Sequence, residues 1–292
     1  MQLVDIREVN RGDLKQYLDS LHDRTPFHFD TAFGVWEKDY FDLDGDLFCE
    51  LEGKATVRDD ASIAGVAMYG KPRRCWNRRG EFLESPNIGI IREIYFDHDE
   101  TVAGESLLAE AMAYVTRYDD YHAFYHAFGL PSMAGHGKLA HSLFRHVEKL
   151  LLDRHFAIEH ENLYFAKVIG IQPVDGALRL EITQSDDLKR ERIVAFLDDR
   201  EVGTAEVKLM DRYTGTNTKD AVYLTWIGIH EEFRGRGCGT GFLKLIENEY
   251  AGRGYARLHL DTANNNTIAR RLYMKQGYRH LCSTRSYFKI PD

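Results

Sequence analysis

The sequence predicts an α/β protein with mixed sheets (α+β in connectivity), arranged as two tandem domains, residues 1–170 and 171–292. Its 292 residues are more than one small core needs and suit two. Runs rich in β-branched and aromatic residues alternate with segments of helical periodicity through both halves. One such run, Ala221–Ile229, leads through a glycine-rich turn into an amphipathic segment, an order that reads strand, turn, helix.

In chain order, a first strand is expected near Leu3–Glu8, followed by helices near Arg11–Leu21 and Thr31–Tyr40. Hairpin strands follow at Leu47–Leu51 and Ser62–Tyr69, then a strand at Ile88–Phe96 and a helix at Glu105–Arg117. A short aromatic strand near His122–Phe128, a helix at Leu139–Asp153 and strands at Phe156–His160 and Leu163–Ile169 complete the first half. The basic stretch Lys71–Arg79 reads as a solvated loop. In the second half a strand at Leu178–Thr183 runs almost directly into a hairpin, Ile193–Leu197 and Glu201–Leu209, turned by Asp198-Asp199-Arg200. That leaves little room for helices before the hairpin.

Ala221–Ile229 is read as a largely buried strand, with Gly228 hinting at a bulge. The turn after it carries glycines at alternate positions, Gly235, Gly237, Gly239 and Gly241, which let the backbone approach a ligand closely. Phe242, Leu243, Leu245 and Ile246 at helical spacing start the helix inside that turn. The free N–H groups and positive dipole end of the helix, with Arg234 and Arg236, suit a pyrophosphate. Downstream, the block from Leu258 to Tyr278 reads in order as a strand, a loop rich in asparagine at Asn264-Asn265-Asn266, a helix that Asn266 can cap, and a stop at Gly277 followed by the aromatic Tyr278.

These two blocks together resemble the GCN5-related N-acetyltransferase (GNAT) superfamily. Arg234, Gly237 and Gly239 match its Arg/Gln-x-x-Gly-x-Gly/Ala loop. Asn266, Ala269, Leu272, Tyr273, Gly277 and Tyr278 match its later Asn-x-x-Ala…Leu-Tyr-x-x-x-Gly-Phe/Tyr pattern. The resemblance covers the last third of the chain well. It implies acetyl-CoA as co-substrate, held by strand backbone at Ile227 and Ile229, by the loop residues Arg234, Gly235, Arg236, Gly237, Gly239 and Thr240, and by Asn266 and Tyr273. The element order of residues 1–170 follows the same fold, but its turn position holds Asp97-His98-Asp99-Glu100-Thr101-Val102-Ala103-Gly104-Glu105, with one glycine, no arginine and four acids in its first nine residues' worth of turn. Carboxylates repel a pyrophosphate. The first domain is therefore expected to be degenerate and not to bind CoA in the usual place.

The implied reaction sets its own demands. The attacking amine must be neutral, and a lysine-like amine is neutral in only about one molecule in 2,500 at pH 7, an α-amino group in about one in eight. His230, Glu231 and Glu232, directly after the strand, are candidates for the base, with His230 and Glu232 favoured. Tyr273 is the candidate donor to the departing sulfur, although a phenol giving its proton to a thiolate is uphill by roughly 2 kcal/mol at ordinary pKa values. Two alternatives remain open at this level: a non-catalytic acyl-CoA-binding interaction protein, and an acetyltransferase acting on a protein N-terminus or lysine.

Charge bears on partners. Residues 1–170 carry 19 basic against 29 acidic residues, and residues 171–292 carry 19 against 17, for a net charge of −8. The half with the glycine turn is the one that can receive a polyanion, while the acidity of the whole argues against a nucleic-acid partner. Cys49, Cys75, Cys238 and Cys282 form no CxxC pair, the 13 histidines follow no ligand spacing, and no stretch reads as a signal peptide or membrane span. A cytoplasmic protein without bound metal and without a membrane partner is expected. Oligomeric state leaves no trace in the sequence.

Overall fold

The computed structural model describes all residues except 29–30, 78–80, 126–127, 130–137, 175–176, 185–189, 211–219 and 290–292. The chain divides into two compact units, Met1–Glu161 with Ser283–Asp292, and Asn162–Cys282. The division differs from a single cut at residue 170, because the last strand segment of the chain pairs within the first unit. Main-chain hydrogen bonding at long sequence separation leaves no periodic signal of its own.

The first unit begins with β1 (Gln2–Asp5), a 3-10 turn, α1 (Arg11–His22) and α2 (Phe33–Tyr40). Asn10 caps α1 by accepting from the N–H groups of Gly12 and Asp13. The strands β2 (Phe48–Val57), β3 (Ile63–Pro72), β6 (Ile88–Phe96) and β7 (Asp120–Ala123) follow, with the small hairpin β4 (Arg74–Trp76) and β5 (Phe82–Glu84) between them. That hairpin corrects the reading of Lys71–Arg79 as plain loop: Cys75 is buried and Trp76 stacks edge-on against Phe82 at 5.2 Å. Helices α3 (Thr101–Val115) and α4 (Arg145–Asp153), the first residues of β8 (Ala157–Val168) up to Glu161 and the last strand of the chain from Ser283, which pairs with β7, complete the unit. Helix α3 starts four residues before the expected Glu105. The start of α4 is later than expected, because Leu139 forms a bridge with Arg285 instead of a helical turn. The expected aromatic strand ends at Ala123, and its residues 126–127 lie outside the described set.

β6 and β7 run parallel from Ile88↔Asp120 to Ile91↔Ala123 and carry no pairing beyond it. Arg92 is the extra residue of a bulge, since Met68 faces Glu93 and Tyr69 faces Ile91. Its guanidinium donates to the carbonyls of Tyr40, Asp39 and Phe128, closing the end of α2. Phe96 turns toward α3, where its ring fills the space a side chain at Gly104 would need, and Tyr95 turns the other way onto His22 of α1 at 5.1 Å. Glu93, on the Tyr95 face, is buried, with the Tyr40 hydroxyl and Arg92 as its polar neighbours.

Burial pushes the Glu93 carboxyl up to about 7, offset in part by the Tyr40 hydroxyl and Arg92 beside it. Between the ordinary carboxyl value and about 7 the folded chain holds this proton while the unfolded chain has released it, so stability falls as pH rises through that window. Glu93→Gln removes the penalty. Its stability relative to the parent should rise by about 3 kcal/mol between pH 4.5 and pH 8 in urea unfolding. Parallel pH profiles would refute the burial argument.

The second unit contains the Asn162–Val168 part of β8 (Ala157–Val168), β9 (Arg179–Gln184), β10 (Arg190–Leu197), β11 (Arg200–Leu209), β12 (Ala221–Ile229), α5 (Cys238–Gly252), β13 (Arg257–Ala263), α6 (Thr267–Lys275) and the start of β14 (Arg279–Lys289). β8 is one strand where two were expected. β9 pairs antiparallel with β10, β10 with β11, and β11 with β12. β12 and β13 run parallel from Ala221↔Arg257 to Leu224↔Leu260, and β13 pairs antiparallel with β8. Val222, Leu224, Leu258 and Leu260 turn to the helix side and form a core with Phe242, Leu243, Ile246 and Tyr250 of α5. Truncating any of these fully buried side chains to alanine is worth about 2–5 kcal/mol.

The two units repeat one plan. β12 bulges at Thr225, since Glu206 faces Trp226 and Val207 faces Leu224, and this is the place Arg92 holds in β6. Gly241 N–H donates to Gly237 at the start of α5, as Gly104 N–H does to Glu100 at the start of α3. Tyr278 N–H donates to Tyr273 at the end of α6, as Phe156 N–H does to Leu151 at the end of α4. The bulge therefore lies three residues before the expected Gly228.

Candidate active site

Beyond Leu224↔Leu260 the strands β12 and β13 of the second unit no longer pair, and a cleft opens between them. The outer half of β12 is correspondingly less buried than its inner half. His230 N–H donates to Val202 of the neighbouring chain segment, so by alternation the peptide groups of Ile227 and Ile229 point away from β11 and into the cleft. The Ile229 carbonyl accepts from Arg234 Nε at 2.9 Å, which fixes that guanidinium at the cleft's end.

The glycine turn divides its labour. Gly235 and Gly237 sit at φ +74° and +83°, the left-handed region that a side chain makes costly, with open space around them. Gly237 is the N-cap of α5 and provides no side-chain cap. The first α5 N–H to find a carbonyl is that of Gly241, leaving Cys238, Gly239 and Thr240 as donors for an anion. A side chain at Gly239 would meet Ile229 at 3.6 Å and Leu272 at 3.9 Å, so loop, β12 and α6 converge at this point. Beside it a cavity of about 420 Å³ is lined by Leu178, Leu197, Arg236, Thr240 and Lys244 among others. Lys244, one turn beyond Thr240, is a cation the sequence reading passed over although its helical spacing marked it.

On α6, Asn266 accepts from Ala269 N–H at 3.2 Å and so caps the helix. Tyr273 is 5% exposed, between the rings of Phe165 and Tyr278. Burial, and next the charge of Asp261, push its phenol up to about 12. Tyr278 is held in turn by Glu247 of α5, at 2.9 Å, and Glu247 also takes Lys167 at 2.6 Å. This buried network ties the C-terminal end of α6 to α5 and keeps Tyr273 in place.

The opposite face of the cleft carries groups that sequence reasoning missed. Asp261, the first residue past the last parallel pair, accepts from Tyr223 OH at 2.8 Å and from Asn162 Nδ2 at 2.6 Å. Tyr164 stacks on Tyr223, and its hydroxyl lies 3.0 Å from His259 Nδ1. Burial lowers His259 to about 4, so it is neutral at pH 7. His230 and Glu232 lie apart from this group. His230 Nε2 is 3.0 Å from Glu201, Glu232 is 3.9 Å from Arg200, and all four side chains are more than 40% exposed.

In the first unit the same places are filled differently. Four residues, 97–100, link β6 to α3, against eight, 230–237, between β12 and α5. Arg58 pairs with Asp97 and, at 3.0 Å, with Glu100, which sets two carboxylates and their own counter-ion at the start of α3. Leu151 stands where the second unit has Tyr273.

A mixed sheet opened between two parallel strands, with a glycine-rich, uncapped helix start at its mouth, defines an acetyltransferase fold of the GNAT type. Residues 172–278 match the acetyltransferase (GNAT) family and form a GNAT domain, of a family that uses acetyl-CoA as co-substrate. Three solved structures extend the likeness to the whole chain. A tandem GNAT protein from the clavulanic acid biosynthesis pathway is 13% identical, with a TM-score of 0.64 over 100% of this chain and 99% of its own. A GCN5-related N-acetyltransferase from Sphaerobacter thermophilus is 12% identical, with a TM-score of 0.63 over 99% and 95%. An acetyltransferase of the GNAT family from Colwellia psychrerythraea is 11% identical, with a TM-score of 0.55 over 100% of both chains. At these identities the shared property is the fold, here a tandem one. Among the described residues no helix is long and apolar enough to cross a membrane, and all four cysteines are free.

Proposed function

We propose that the chain is an acetyl-CoA-dependent N-acetyltransferase whose second unit carries the reaction and whose first unit does not bind CoA at α3. The convergence of the open α5 start, the unpaired end of β12 and Tyr273 is the observation that carries this reading. The pyrophosphate lies on the N–H groups from Gly235 to Thr240, between Arg234 and Arg236. The pantetheine arm runs along β12 and past Asn266, bonding the peptide groups of Ile227 and Ile229. The Ile229 N–H polarises the acetyl carbonyl as charge develops on its oxygen.

The acceptor amine arrives from the opposite face and attacks the carbonyl, forming the C–N bond as the C–S bond breaks. Asp261, steadied by Tyr223 and Asn162, is better placed to accept the amine proton than His230 or Glu232, which are engaged with Glu201 and Arg200 at the strand's end. Tyr273 stabilises the leaving sulfur by donating a hydrogen bond. With its phenol held near 12, complete transfer of that proton to a thiolate is uphill by about 5 kcal/mol, so the thiolate takes its final proton from solvent.

Calorimetry with acetyl-CoA should give one equivalent bound per chain, and free CoA should accumulate only when an amine panel is added. Two equivalents would remove the proposed silence of the first unit. Binding without CoA release under any amine would favour a non-catalytic acyl-CoA-binding protein.

A further inference from the structure

The geometry points to Trp226 as the platform that selects the acceptor: an amine carried on a flat aromatic or apolar body, stacked on the indole. This deepens the acetyltransferase reading and rests on it. Trp226 is 57% exposed although it belongs to the central site strand, two residues beyond the last β12–β13 pair. Glu206 lies directly across from it on β11, and Val207 next to Glu206 is in the core. Opposed residues of paired strands share a face, so Trp226 stands on the face away from α5. Tyr223, opposite Lys208, shares that face and holds Asp261. The indole is therefore on the acceptor side of the cleft, not the CoA side.

The ring does not hang free. A Cβ built on Gly228 would lie 2.5 Å from the indole, so the far end of the ring packs against Gly228 and any side chain there would displace it. The ring is held on one side by Gly228 and is otherwise more than half exposed, beside the stretch of β12 proposed to hold the thioester. An exposed, backbone-supported indole loses little freedom when a second ring stacks on it. The charge around it fits an amine. Glu206 is taken up by Thr225 and Arg190, at 2.9 and 3.1 Å, while Asp261 provides a carboxylate immediately past the last β12–β13 pair, where the cleft begins. An ammonium group is thus drawn toward Asp261 while its apolar body covers Trp226, and loss of its proton there prepares the attack.

The test compares 2-phenylethylamine with propylamine on the full chain at saturating acetyl-CoA, alongside separate acetyl-CoA titrations. The parent should use phenylethylamine with a KM at least tenfold below that of propylamine, a discrimination of the size stacking provides. Trp226→Ala should raise the phenylethylamine KM about tenfold, leave the propylamine KM and acetyl-CoA affinity within twofold, and Trp226→Phe should restore most of the difference. Gly228→Ala, which displaces the ring without removing it, should copy Trp226→Ala. Phenylethylamine should also quench fluorescence in the parent and not in Trp226→Phe, a signal that needs no turnover. Equal use of the two amines by the parent, or a Trp226→Ala variant that keeps the preference, overturns the assignment. Absent acetyl-CoA binding with fluorescence quenching intact would instead defeat the acetyltransferase reading and leave the stacking site standing.

Discussion

Tyr273→Phe should lower kcat by about 10²-fold while acetyl-CoA affinity stays within threefold. The substitution removes one hydroxyl from a ring that Phe165, Tyr278 and the helix already fix, so packing changes little. The sulfur gains negative charge only as the C–S bond breaks, and a donor waiting there acts on the transition state more than on bound acetyl-CoA. A loss confined to kcat is the signature of that role. Because burial and Asp261 hold the phenol near 12, it stays protonated through the working range, and the parent should show no alkaline limb from Tyr273 below about pH 11. A variant that turns over like the parent would remove Tyr273 from the reaction. A loss appearing only in the acetyl-CoA KM would reduce it to a binding contact.

Arg234→Glu should weaken acetyl-CoA binding about 30-fold or more, read by calorimetry at low salt, with Tm unchanged. The parent guanidinium is anchored by its Nε on the Ile229 carbonyl, and reversal places a carboxylate beside the proposed pyrophosphate position. The glycines provide the control. Gly237→Ala, at φ +83°, should cost about 1–2 kcal/mol of stability through backbone strain alone, since nothing lies within 4 Å of the added methyl. Gly239→Ala meets only ordinary contacts with Ile229 and Leu272, so it should keep Tm and lose affinity by closing the approach to the helix start. Undiminished binding in Arg234→Glu and Gly239→Ala together would rule out this pyrophosphate site.

The elements that sequence reading found best are those set by local pattern. Ala221–Ile229 emerges as a strand with the expected bounds, and the helix does begin inside the glycine turn, because β-branched runs, helical spacing and left-handed glycines act within a few residues. Residues that act through partners far away in the chain were illegible. Nothing around Asp261 announces that Asn162, 99 residues earlier, will donate to it. The sequence hints at a bulge at Gly228, whereas Thr225 is the extra residue and Gly228 makes room for the indole of Trp226. Both patterns demand glycine or small residues in a strand, and only cross-strand register separates them.

The sequence by itself determined that this chain folds as tandem α/β units, that one glycine turn opens into a helix start, and that Asn266 and Tyr273 stand at the cap and on the body of the next helix. Each of those follows from residue types at fixed short spacing, where backbone conformation is set locally. Tertiary structure alone decided that the strands part after Leu224 and Leu260, that Asp261 and Trp226 share the face away from α5, and that Arg58 fills the first unit's helix start. These depend on register and on which side chains meet across hydrogen-bonded strands, and a one-residue slip in register would send each of them to the opposite face.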